Sequence, residues 1–87
     1  MTQYTTDAVG NRCLYQKLSP SLAVLYTEIP QKRYEELKAM TYSEVETEIE
    51  NEIPSYFAGL GYYGHLLRYD AEQDIYLLGL ECGTSYD

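Results

Sequence analysis

Thr41-Tyr42-Ser43-Glu44-Val45-Glu46-Thr47-Glu48-Ile49-Glu50-Asn51-Glu52-Ile53 is the stretch on which the fold turns. A glutamate stands at every second position from Glu44 to Glu52, and strict alternation is a strand pattern. As a strand, the five glutamates would form one row beside Val45, Thr47, Ile49 and Ile53. At 100° per residue, however, Tyr42, Val45, Ile49 and Ile53 fall on one face. Glu44, Glu48 and Glu52 then flank that face on one side, Glu46 and Glu50 on the other. Glutamate is a good helix former and a poor strand former. Thr41 with Glu44 three residues later forms a capping-box pattern. The stretch therefore reads as a helix ending by Ile53, because the residue before Pro54 avoids helical backbone.

Upstream, Pro30 suits the first turn of another helix, where its missing N–H costs nothing. Gln31 to Met40 carries Tyr34, Leu37 and Met40 at helical spacing. Before that, Arg12 to Leu18 alternates, Ser19-Pro20-Ser21 is a turn signal, and Leu22 to Ile29 is rich in strand formers. These segments predict an antiparallel hairpin. Downstream, Ser55 to Gly64 reads as a glycine- and tyrosine-rich connection. His65–Tyr69 and Ile75–Leu80 predict a second hairpin around the turn 70–74, with a frayed tail from Gly83. The expected class is α+β: an antiparallel sheet of about four strands with two helices on one face, in the order β-β-α-α-β-β. A strand near Tyr4 would extend it. Eighty-seven residues make one domain with one modest core.

Charge is divided along the chain. Residues 1–38 carry net +1 and residues 39–87 net −9, for a total of −8, and no Lys or Arg lies between Lys38 and Arg68. Solubility needs far less charge than this. A one-sided negative field points to a basic partner and opposes direct contact with nucleic acid. Eleven tyrosines, one phenylalanine and no tryptophan supply apolar area with a polar tip, which suits contact surfaces as well as a small core.

Motifs for chemistry are weak. Gly59-Leu60-Gly61-Tyr62-Tyr63-Gly64 has the letters of a dinucleotide fingerprint, but a helix and a proline precede it where a strand is needed. Its glycines read instead as sites of close packing beneath tyrosines. Asp70, Glu72 and Asp74 alternate like calcium-loop ligands, yet Ile75 stands where the loop requires glycine. His65 is the only histidine, and Cys13 and Cys82 are far apart, so no zinc spacing exists. No enzyme, metal or cofactor is expected. Met1-Thr2-Gln3-Tyr4 starts no secretory signal and no apolar run spans a membrane, so a cytoplasmic chain with reduced thiols is expected, a Cys13–Cys82 disulfide being the alternative if their strands are neighbours.

The expected function is binding. Glutamates four apart on a helix lie ~6 Å apart along its axis, a spacing suited to a groove built for backbone phosphates. The expected partner is a basic nucleic-acid-binding protein or nuclease effector, with Tyr42, Tyr56 and Tyr69 placed to stack on its arginines. In size and charge the chain is similar to small acidic anti-defence proteins of phages and mobile elements, including anti-CRISPR and anti-restriction proteins. Such a protein would act in the host cytoplasm. The candidate contact residues are Glu44, Glu46, Glu48, Glu50, Glu52, Tyr56, Tyr62, Tyr63, Asp70, Glu72 and Asp74. The other expectation is a regulatory module or homodimer, with Tyr56, Phe57, Tyr62 and Tyr63 as its contact patch and the acids as a solubilising rim.

Overall fold

The structure, a computed structural model, describes residues 3–51 and 61–83. Five strands and two helices run in the order β1 (Thr5–Thr6), β2 (Arg12–Ser19), β3 (Leu22–Ile29), α1 (Gln31–Lys38), α2 (Tyr42–Ile49), β4 (Tyr62–Asp70) and β5 (Ile75–Gly83). The strands form one antiparallel sheet in the order β1-β2-β3-β5-β4. The fold is α+β, with a short fifth strand added at the N-terminal end.

Both hairpins form as the alternation predicts, and the returning strand β5 inserts between β3 and β4. Its sequence explains this. Leu77 and Gly79 turn to one face while Leu78, Leu80 and Cys82 turn to the other, and all five are buried. A strand apolar on both sides gains most at the centre of a sheet. On one face Ala23, Leu78, Leu80 and Cys82 pack with Leu37 of α1 and Val45 and Ile49 of α2. On the other, Val24, Tyr26, Ile75 and Leu77 form a second cluster, joined by Tyr4, Leu14 and Leu66. Tyr4 lies across that face, and its hydroxyl donates to Asp70 Oδ2 on the far edge strand at 2.6 Å.

Local details differ from expectation in three places. Pro30 is the N-cap of α1, with extended backbone (φ −62°, ψ 150°), and its carbonyl accepts the first helical bond from Tyr34. Tyr62, Tyr63 and Gly64 belong to β4 and not to a connection. The pairing with β5 slips between Tyr62 and Gly64, and Gly83 N–H closes on Gly61 O at 2.9 Å. That slip lets the strand run on past the glycines. At the other end β5 continues through Cys82 and Gly83, paired to β3 at Ala23 and Leu22. The tail 84–87 lies outside the described residues.

Cys13 and Cys82 are free. They sit on β2 and β5, with β3 between them, so no bond joins them. Burial raises both thiols above the ordinary cysteine value, and beside Cys13 the Asp7 carboxylate adds to the effect. No helix among the described residues is long and apolar enough to cross a membrane.

Candidate functional site

The glutamate stretch is helical, and its cap is the one the sequence announces. Thr41 Oγ1 accepts from Glu44 N–H at 3.3 Å, and Glu44 Oε1 accepts from Thr41 N–H at 2.8 Å. Val45 and Ile49 are buried against the sheet, so the remaining faces carry the acids outward. Three of these glutamates also hold the fold. Glu44 closes the capping box. Glu46 is half-buried beside Tyr62, whose hydroxyl is held protonated by burial first and by this carboxylate second. Glu48 lies 4.0 Å from Arg33 on α1, an exposed pair of small energetic value. Glu50 is exposed at the C-cap, and the last turn holds no basic residue to offset its repulsion by the helix dipole. Glu52 and Tyr56 lie outside the described residues, as do Phe57 and Ile53.

Beside the acids sits an aromatic node. Tyr42, the first residue of α2, stacks on His65 with ring centroids 4.0 Å apart and planes 22° apart. Its hydroxyl accepts the His65 backbone N–H at 3.3 Å. Tyr62 meets His65 Nδ1 at 3.2 Å. Gly64 makes this closeness workable. A Cβ there would stand 2.6 Å from the Tyr42 hydroxyl and 3.0 Å from Glu81 Oε1. Burial lowers the His65 pKa, and nearby Glu46 and Glu81 only partly oppose that. A cleft of about 260 Å³ opens alongside, lined by Leu37, Met40, Tyr42, Val45, His65 and Leu67 among others. Tyr62 thus faces inward, whereas Tyr63 is 65% exposed and lies over Gly61 and Gly83.

No family model, curated protein or solved structure matches this chain.

The second acidic group stands at the opposite end of β4. Asp70 Oδ1 accepts from the backbone N–H groups of Glu72 and Gln73, and Oδ2 accepts from Tyr4. Those bonds hold the Asp70 carboxyl below its usual range. Asp74 adopts φ 55°, the left-handed conformation aspartate tolerates at a turn, and accepts from the Tyr69 hydroxyl at 2.7 Å. Glu72 is exposed at the tip. Tyr69, Tyr76 and Tyr34 continue from the turn as a row with successive centroids 4.8 Å apart, ending under the Lys38 ammonium. The eight steps of β4 from Tyr62 to Asp70 span roughly 26 Å. The acids of α2 and of the turn are therefore two separate groups. Among the described residues no set of three His, Cys, Asp or Glu side chains is arranged to hold a metal ion.

The sequence singles out the α2 and turn acids, Tyr42 and Tyr69, but not the partnership of Tyr42, Tyr62, His65 and Glu81. Those residues come from three elements, and no spacing encodes them. The Tyr69–Tyr76 pair was within reach, because a hairpin closed by Asp70 and Ile75 sets those tyrosines opposite each other. A larger cleft of about 310 Å³, lined by Asn11, Thr27, Glu28, Ile29, Pro30, Leu78 and Leu80, holds no residue of either acidic group.

These contacts predict alkaline behaviour. Tyr4 and Tyr62, chiefly through burial, and Tyr69, chiefly through Asp74, are pushed from 10.0 up to about 12. The unfolded chain releases these protons near pH 10 and the folded chain keeps them, so above that pH the folded state binds more protons. Their stabilisation is complete below pH 10 and is lost as pH rises toward 12. Urea midpoints should fall steeply across that window, while tyrosinate absorbance of the native protein lags that of the unfolded chain. Native and unfolded titrations that coincide would contradict the assignment.

Proposed function

We propose that this chain is a non-catalytic binding protein that inhibits a nucleic-acid-binding protein or nuclease effector by presenting carboxylates where that partner expects phosphates. The observation that carries this reading is the α2 surface. Glu44, Glu48 and Glu50 are exposed on a helix docked by Val45 and Ile49, inside a stretch with no lysine or arginine. Glu44 and Glu48 stand ~6 Å apart along the axis. Tyr42, 55% exposed beside them, offers a ring for a guanidinium to stack on. The cleft next to Tyr42 offers an apolar slot for a neighbouring side chain of the partner. Glu72 and Asp74, with the tyrosine row, give a second acidic and aromatic contact at the far end of β4. The same charge opposes binding of DNA or RNA by the chain itself. A role in anti-defence, of the anti-CRISPR or anti-restriction kind, fits the size and charge.

The test is capture from host lysate with stepped salt elution, followed by mass spectrometry. The proposal expects a nucleic-acid-binding protein released at moderate salt and displaced by its own DNA or RNA. A combined Glu44→Gln, Glu48→Gln, Glu50→Gln variant should lose roughly tenfold or more in affinity and most of the salt dependence. Glutamine at position 44 still completes a capping box, so the fold is retained. A second reading is favoured by Tyr63, 65% exposed on β4: a hydrophobic contact surface of a regulatory module. Binding that persists at high salt, survives the glutamine variant and fails with Tyr63→Ala would establish that reading instead.

A further inference from the structure

Among the described residues, β2 leaves most of its outer edge open. β1 covers only Arg12 and Cys13, and among the described residues no strand lies beyond Leu14–Ser19. Four successive residues there, Tyr15, Gln16, Lys17 and Leu18, are exposed, with Tyr15 at 58% and Leu18 at 53%. An open edge carrying apolar side chains is a template for another strand.

The orientation of that edge follows from β1. Asn11 O accepts from Asp7 N–H at 2.9 Å, and Cys13 O accepts from the Thr5 hydroxyl at 3.3 Å, so both carbonyls face outward. Backbone groups alternate along a strand, so Tyr15 and Lys17 present their N–H and C=O outward, while Leu14 and Gln16 direct theirs to β3. We propose that β2 pairs antiparallel with β2 of a second copy across a two-fold axis at Gln16, joining two five-stranded sheets into one.

The register is narrowly determined. An antiparallel ladder needs outward residues opposite one another. Tyr15 facing its own copy would set Cys13, already covered by β1, against Lys17 of the second copy. Lys17 facing its own copy would bring two ammoniums together. The remaining register sets Tyr15 against Lys17, Leu14 against Leu18, and Gln16 against itself. Each exposed side chain then gains a suitable neighbour, including a cation over a tyrosine. The pairing stops at Leu18, where β2 slips against β3 between Lys17 and Ser19 before turning.

The self-complementary register selects a second copy as the occupant, and the distribution of charge permits its approach on this side. A chain of net charge −8 repels itself, and only its least acidic side can approach its like. β2 carries Arg12 and Lys17 and no acid. The sheet order places it across the molecule from β4, which adjoins α2, so the two acidic sides end up farthest apart. The proposal is independent of the partner of α2.

Analytical ultracentrifugation of the whole chain tests it. The expected result is a concentration-dependent rise from 10.0 kDa to twice that mass. Gln16→Glu, at an exposed position, sets like charges face to face across the axis and should weaken association by roughly tenfold or more. Asn51→Asp adds the same charge elsewhere and should leave it unchanged. A chain that stays monomeric at high concentration, or a dimer equally affected by both substitutions or by neither, overturns the proposal.

Discussion

Replacing Ile49 by alanine is expected to remove about 2–5 kcal/mol of stability and to take the acidic helix with it. Ile49 is fully buried, and it ties α2 to Leu37 of α1 and to Ala23, Leu78 and Leu80 of the sheet. An eight-residue helix has little stability of its own, since nucleation uses most of what so few bonds return. Here Glu48 and the C-cap Glu50 also oppose the helix dipole. The capping box contributes only about 1 kcal/mol against this. The buried contacts of Val45 and Ile49 must therefore hold the helix. In a domain this small the loss is a large share of the total, and the thermal midpoint should drop by more than about 8 °C. Urea unfolding and far-ultraviolet dichroism measure both effects. A cost below about 1 kcal/mol with helix content intact would mean that α2 is held by something other than its apolar face.

Gly79→Ala is the second large effect, and two opposing terms decide its sign. Alanine restricts the unfolded chain and would stabilise by about 0.4–1 kcal/mol where it fits. It does not fit here. A Cβ at position 79 would stand 2.8 Å from Tyr26 Cε1 and 3.0 Å from both Tyr26 Cδ1 and Val24 Cγ1. Gly79 pairs directly with Tyr26, and the bare glycine lets that ring lie across β5 toward the Arg68 guanidinium, 5.4 Å from its centroid. Tyr26 and Val24 are buried, so neither can swing into water. Overpacking of this kind costs about 1–3 kcal/mol, which exceeds the entropy gain. The expected outcome is a lower urea midpoint with an unchanged slope. In a Tyr26→Val background, which removes the closest obstruction and leaves only Val24, Gly79→Ala should cost markedly less. Additive effects of the two substitutions would contradict the steric account.

Part of this structure is legible in the sequence. The helix over the glutamates is, because Val45 and Ile49 repeat at helical spacing and Thr41 with Glu44 spells a cap. The reach of β4 is not. Gly61 and Gly64 read as breakers, and only the slip in pairing with β5 lets Tyr62–Gly64 join the strand. The acids are legible as charge, but their second duties are not. Nothing local assigns Glu46 to Tyr62 or Asp70 to Tyr4, sixty-six residues away.

The sequence by itself determined the kinds of element, their order, both hairpins and the division of charge. Each of these depends on periodicity, turn chemistry or composition within a few neighbouring residues. Only the tertiary structure decided that β5 lies between β3 and β4, that Tyr62 turns inward to His65, and that the acids form two groups at opposite ends of one strand. Those outcomes arise from pairings such as Ala23 with Cys82, whose energy depends on which distant strands can bury both their faces together.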